Sequence, residues 1–195
     1  MPDRFERAIQ RIDEANSEDP TLLVVNWEPR PKELAHSEMM TEWVRRLRPD
    51  ADEALLLAAR AHHIRRWARQ RSSYPEGRKG YLRWRTDLHE FHARVAGGIL
   101  VECGYDDTTV ARVQQIIRKH GLGRDHDVQA LEDALCLTFL DTQLAALIAD
   151  LPEETMVNVL RKTWKKMSEA AREHALALEM RPPDREFVVR ALSDG

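Results

Sequence analysis

The chain has 195 residues, of which 43% are hydrophobic and 32% charged, and its formal net charge is −3. The two longest apolar runs, Ala54–Ala59 and Leu144–Ala149, have six residues each, so no transmembrane helix of about 20 residues is predicted. The N-terminus shows no apolar signal segment, and two cysteines cannot form a disulfide framework, so we expect a cytoplasmic protein. The charge balance argues against binding to duplex nucleic acid.

Glycines and prolines are few and separate segments with helical periodicity. No strand-type alternation or internal repeat interrupts them. We therefore expect an all-α, single-domain helical bundle over residues 1–195, with loops at 17–31 and 71–79. The predicted helices are 3–16, 32–48, 51–70, 80–103, 107–120, 126–149, 153–180 and 184–192.

Positive charge is concentrated in residues 60–85, which contain nine Lys/Arg and one Glu, a local excess of +8. One interpretation is a solvated face; the other is a site for a small phosphate-bearing ligand, because aromatic residues alternate with the cations. The predicted phosphate-binding residues are Arg71, Arg78, Lys79, Arg85, Tyr74 and Tyr81. Some cations in this segment must be paired, and an acidic helix carrying Glu132 and Asp133 could neutralise Arg65 or Arg66.

Ionisable side chains recur on the apolar faces of the predicted helices. A lone histidine there is usually a core residue with its own hydrogen bonds, but here five helices each present an ionisable group. Burying such groups unpaired costs on the order of several kcal/mol each, and a shared divalent cation would offset that cost. Imidazoles and a carboxylate suit Fe, Mn, Zn, Ni or Co, and Glu132 is a candidate base. The predicted ligands are His36, His62, His63, His92, His120 and Asp133.

The order of these residues resembles the HD superfamily of metal-dependent phosphohydrolases. His36-Ser-Glu-Met-Met resembles its first histidine element, Ala58–Ile64 its helix ending in His-Asp, and Leu131–Ala134 its last aspartate. His63 stands where that signature has aspartate, and Asp133 precedes the alanine instead of following it.

The HD resemblance implies a fold and an activity. The fold would be an HD-like helical core at 31–150 followed by C-terminal helices at 151–195. The activity would be hydrolysis of a small phosphate ester, such as a nucleotide, by metal-activated water. His92 and His120 resemble the two extra histidines of members that hold two metals.

Longer strings resemble the family known as domain of unknown function 4202, and they cover nearly the whole chain. That resemblance brings no established activity. The strings are Phe5–Asn16, His63–Trp67, Arg71–Pro75, Gly80–Arg85, Leu131–Asp133 and Arg161–Ser168.

Three interpretations of the function follow from these residues. The first is an HD-like metal-dependent phosphohydrolase. The second is a non-catalytic HD-like module that binds a nucleotide, an RNA end or a protein partner, which the altered His-Asp motif favours. In the third, the histidines are structural. Metal content of the purified protein separates the first interpretation from the second.

Overall fold

The structure is a computed structural model that describes residues 3–25 and 27–193. Helices dominate it, which confirms the all-α prediction, and none of the described helices is long and apolar enough to cross a membrane. The strands are β1 (Leu22–Val25) and β2 (Glu28–Pro31). The helices are α1 (Arg4–Ser17), α2 (Lys32–Leu47), α3 (Glu53–Ala61), α4 (Gly77–Glu102), α5 (Asp107–Ile117), α6 (His126–Thr142), α7 (Leu144–Asp150), α8 (Glu153–Lys166), α9 (Glu169–Ala177) and α10 (Pro182–Ser193).

The chain forms two compact units, residues 1–131 and 132–195, each with its own core. In the first unit, α3 is the central helix and packs against α1, α2, α4 and α5. Leu55, Leu57 and Ala58 are completely buried, as expected for a short helix that is apolar on all sides. This packing fixes the end of α3, where His62 and His63 follow.

The second unit is built from the remainder of α6 and from α7–α10. There α8 and α10 pack together with α7, and Met156 and Leu160 of α8 are fully buried. Arg161 Nε donates a hydrogen bond to the carbonyl oxygen of Ala191 (2.8 Å), which ties α8 to α10. The predicted division into an HD-like core at 31–150 and C-terminal helices at 151–195 stays a prediction.

The predicted third helix, 51–70, is wrong at its C-terminal end, because α3 stops at Ala61. Arg65 has a left-handed backbone (φ 49°), which a continuous helix does not allow. The backbone N–H of Arg65 instead donates to Asn16 Oδ1 of α1 (3.2 Å). A contact between residues far apart in sequence thus ends the helix, and a 3₁₀ turn at Arg66–Ala68 follows.

The segment predicted as a loop, 17–31, contains the antiparallel ribbon β1–β2, with Leu22 opposite Pro31 and Val25 opposite Glu28. The prolines of the sequence Glu-Pro-Arg-Pro argued against a strand, since proline donates no hydrogen bond. In a two-stranded ribbon, one edge of each strand has no neighbouring strand, so prolines whose missing N–H faces that edge are tolerated. Within the predicted loop, residue 26 lies outside the described residues.

Two predicted long helices are each divided in two. The segment 126–149 breaks at Gln143, between α6 and α7. The segment 153–180 breaks before Ser168, whose side chain accepts a hydrogen bond from the Ala171 backbone and so caps α9. The serine is an N-cap residue type, but hydrophobic periodicity runs through it and hides the break.

Gly80 in the first turn of α4 allows a close approach to the preceding loop. A Cβ at this position would lie 1.8 Å from the carbonyl oxygen of Pro75, whereas a Cβ at Gly98 on the same helix would meet nothing within 4 Å. We expect Gly80→Ala to destabilise the protein by about 1–3 kcal/mol, because backbone must move. Gly98→Ala should instead stabilise it by about 0.5–1 kcal/mol through helix propensity. Denaturant unfolding of both variants checks this, and equal stabilities would contradict the contact.

Candidate metal centre

Three potential metal ligands from two elements meet in the first unit. Glu33 and His36 lie one turn apart on α2, and His63 lies in the turn after α3. Glu33 Oε2 is 3.4 Å from His63 Nδ1 and 3.9 Å from His36 Nδ1. All three ligand atoms lie within 4.8 Å of one another, and no other such group of three occurs among residues 3–25 and 27–193.

Local contacts fix the start of α2 and therefore the position of Glu33. Buried Asp19 accepts hydrogen bonds from the backbone N–H groups of Thr21 (2.9 Å) and Glu33 (3.0 Å). Its carboxylate thus joins the beginning of the ribbon to the first turn of α2. The side chain of Glu33 is then directed into the interior, where the residue is only 4% exposed.

The donor set fits a divalent cation. Glu33 Oε2 is buried and accepts no hydrogen bond from any described group, which is a costly state for a carboxylate oxygen. Two atoms that share one ion lie at most about 4 Å apart, twice the usual ligand distance of roughly 2 Å. The two distances from Glu33 Oε2 meet this limit, and the ligand nitrogens of His36 and His63 lie within 4.8 Å of each other. Two imidazoles with one carboxylate suit Zn, Fe, Mn, Co or Ni.

The charge states also suit metal binding. Burial lowers the pKa of His36 to about 4, and desolvation, with His62 as the next cause, lowers the pKa of His63 well below its usual value. Both imidazoles are therefore neutral near pH 7, as ligands must be. Burial raises the pKa of Glu33 to about 7, so without a cation its carboxyl retains a proton well above the ordinary range.

Arg66 lies at the edge of the centre. Its Nε is 4.0 Å from Glu33 Oε1, its Nη1 is 3.5 Å from His63 Nε2, and its guanidinium stacks on the Trp84 ring at 5.1 Å. Burial is the main cause that lowers the pKa of Arg66, and nearby Arg85 lowers it further. Arg85 is thus a second cation close to Arg66, which itself borders the three ligands.

Two further predicted ligands, His62 and His92, lie next to His63 but outside the group of three. The His62 ring stacks on His63 at 4.4 Å, and the His92 ring is 5.7 Å from it. Both residues are buried, and neither nitrogen of His62 has a hydrogen-bond partner among the described groups. His92 Nδ1 bonds to the carbonyl oxygen of Ile64 (2.8 Å), while its Nε2 has no described partner. His120 is exposed beyond the end of α5.

The predicted base and the predicted last ligand belong to the second unit. Glu132 is buried and forms an ion pair with Lys166 (3.2 Å). Asp133 is also buried, and its Oδ1 accepts a hydrogen bond from the Ser168 backbone (2.8 Å). The catalytic role of Glu132 and metal ligation by Asp133 stay predictions.

The sequence reasoning missed Glu33, although a signal was available. Glu33 lies three residues before His36, so the two share a helix face. The predicted ligand set contained histidines and Asp133, and Glu33 was not part of it. The sequence predicted for Arg66 only that an acidic side chain could neutralise it, and Glu33 is such a side chain.

Partners of the basic segment come from the first unit. Arg60 forms a bidentate pair with Asp13 (2.6 and 2.7 Å), and Arg65 pairs with Glu18 (3.1 Å). These acidic residues lie on or directly after α1. Arg65 is therefore neutralised by Glu18 and not by the predicted helix that carries Glu132 and Asp133.

The predicted phosphate-binding residues differ in their engagement. Arg71 Nη1 donates to the Tyr74 carbonyl oxygen (3.0 Å), and Arg85 Nη1 approaches the Tyr81 hydroxyl (3.4 Å). Arg78 and Lys79 are exposed, and the described residues provide no ion-pair partner for either. The last two remain available to attract an anion.

Comparison with known families gives a match that spans residues 6–188 and is described as "Domain of unknown function (DUF4202)". The chain belongs to this family. Comparison with curated proteins and with solved structures gave no significant match. The resemblance to domain of unknown function 4202 is therefore confirmed, whereas the more distant HD resemblance stays a prediction.

Proposed function

We propose that this protein is a metal-dependent phosphohydrolase acting on a small phosphate ester. The observation that carries the proposal is the group of buried Glu33, buried His36 and partly exposed His63, with Arg66 at its edge. A neutral-imidazole and carboxylate site beside guanidinium groups matches what phosphate hydrolysis requires: a bound cation and a place for the phosphate oxygens.

Each residue of the site has a distinct proposed role. Glu33, His36 and His63 would hold the cation, which when bound supplies Lewis acidity and lowers the pKa of coordinated water. Arg66 and Arg85 would bind the phosphate oxygens, and the stacking of Arg66 on Trp84 keeps its guanidinium oriented. Exposed Arg78 and Lys79 would raise the local concentration of an anionic substrate. The same proposal includes Glu132 as the proton acceptor and Asp133 as a further metal ligand. It also includes the other predicted histidines as ligands, some of them for a second metal ion.

A non-catalytic module that binds a nucleotide, an RNA end or a protein partner is the second candidate. The replacement of the HD signature aspartate by His63 favours it, because the usual ligand set is altered. Near-stoichiometric transition metal in protein purified without a histidine tag supports the enzyme. Essentially metal-free protein that also fails to bind added metal supports the module.

Activity is tested with a panel of phosphate esters in the presence of Mn, Co, Ni or Zn. We expect metal-dependent release of phosphate and a loss of about 10- to 100-fold in kcat/KM for Arg66→Gln, since charge-assisted bonds to the phosphate are lost. Arg45→Gln, on an exposed position of α2, is the matched control and should retain full activity. Absence of turnover with every metal, or equal activity of the two variants, would refute the proposal.

A further inference from the structure

A second site is suggested by a cavity of about 490 Å³ in the first unit, lined by α4, the loop before it and the C-terminal end of α5. Its wall contains three arginines, two carboxylates, an amide and two aromatic rings. None of these residues belongs to the candidate metal centre. The volume falls in the range of cavities that hold small organic ligands.

Two of the arginines are held by an aromatic ring and not by an acid. The guanidinium carbons of Arg69 and Arg94 lie 5.0 and 5.8 Å from the centre of the Phe91 ring. Neither side chain has an ion-pair partner within the described part of the chain. Stacking orients a guanidinium without using its N–H groups, so these stay available for an anion. The third arginine, Arg118, is already paired with Glu90 (2.8 Å).

The other residues of the cavity wall indicate what kind of molecule carries the anionic group. Asp87 lines the same cavity as Tyr74. Three arginines against Asp87 and Glu90 leave a formal charge of +1 in the wall, which suits a single phosphate and not a polyphosphate. A carboxylate opposite the guanidinium groups accepts hydrogen bonds from hydroxyl groups. Phe91 already contacts two guanidinium groups, so little of its face is left for stacking a nucleobase.

We propose that this cavity binds a small sugar or polyol monophosphate, with the phosphate at Arg69 and Arg94 and the hydroxyl groups at Asp87. The cavity wall shares no residue with the metal centre, and binding there does not depend on the proposed hydrolysis. The proposal assigns ligand binding to Arg69 and Arg94, which are not among the phosphate-binding residues predicted from the sequence.

Binding is measured by calorimetry in 150 mM salt with a chelator present, so that any metal chemistry is silent. The probes are ribose 5-phosphate, inorganic phosphate, ribose and adenosine monophosphate. We expect saturable binding of ribose 5-phosphate, none of ribose, and weaker binding of inorganic phosphate. Arg69→Gln and Arg94→Gln should each weaken ribose 5-phosphate binding at least about tenfold, the effect of losing a charge-assisted contact.

Arg83→Gln is the matched control, since Arg83 is exposed on the same helix, lies outside the cavity wall and carries the same charge. It should change affinity less than about twofold at this ionic strength. Asp87→Asn should weaken ribose 5-phosphate more than inorganic phosphate. The proposal is overturned by absent binding of ribose 5-phosphate or by equal effects of Arg83→Gln and Arg94→Gln. It is overturned as well if inorganic phosphate binds as tightly as the ester, or if the nucleotide binds more than tenfold tighter.

Discussion

Glu33→Gln is expected to lower the affinity for Zn or Mn by at least about a hundredfold. Loss of groups that merely orient a metal ligand costs 10- to 100-fold, so loss of an anionic ligand should reach the upper end or exceed it. Glutamine preserves the shape of the buried side chain but removes the charge. The measurement is metal titration by calorimetry, together with the melting temperature at fixed metal concentration.

The control for this change is Glu42→Gln, the same substitution on an exposed turn of the same helix. Wild type and Glu42→Gln should gain about 3 kcal/mol of stability at a metal concentration one hundred times the dissociation constant, because only the folded protein binds. Glu33→Gln should gain almost nothing. Equal gains in all three proteins would place the metal elsewhere and remove Glu33 from the site.

The sequence predicted most of the helices because hydrophobic periodicity and local stop signals determine them. The end of α4 shows this: the predicted boundary at residue 103 falls next to Gly104, whose left-handed backbone (φ 85°) follows the last helical residue, Glu102, by two positions. Errors arose where a distant residue decides the local structure. The end of α3 depends on Asn16, and no pattern within residues 51–70 reveals that contact.

Only part of the candidate site was predicted, because local patterns reveal some of its residues and contacts between distant residues determine the others. His36 and His63 were identified because an ionisable group on an apolar surface is conspicuous in sequence. The partner Glu33 was missed because it lies in a mixed stretch at the start of α2. Its spacing of three residues to His36 was a signal, but its burial depends on the position of α2 relative to the end of α3. His120 follows an apolar stripe in sequence but is exposed, since α5 ends at Ile117, before the stripe reaches it.

Stability of the metal-free protein should depend on pH in a way that Glu33→Gln removes. The pKa of Glu33 rises from an ordinary 4.5 to about 7 on folding, because burial disfavours the carboxylate. The folded protein therefore binds the proton more tightly than the unfolded chain. Its stability is highest below pH 4.5 as far as this group is concerned, and it falls as the pH rises through 7. The shift of about 2.5 units corresponds to roughly 3 kcal/mol.

Buried histidines act in the opposite direction. The pKa of His92 falls to about 3 on burial, so its contribution is present above pH 6.5 and is lost as the pH falls. This contribution is common to wild type and variant, and the difference between their free energies of unfolding isolates Glu33. In a chelator, that difference should move by about 3 kcal/mol against the wild type between pH 4.5 and 8. If the difference in free energy of unfolding does not change with pH, folding does not raise the pKa of Glu33. At pH 8, added metal should reverse the order, because the cation replaces the proton on Glu33 and makes the buried charge favourable.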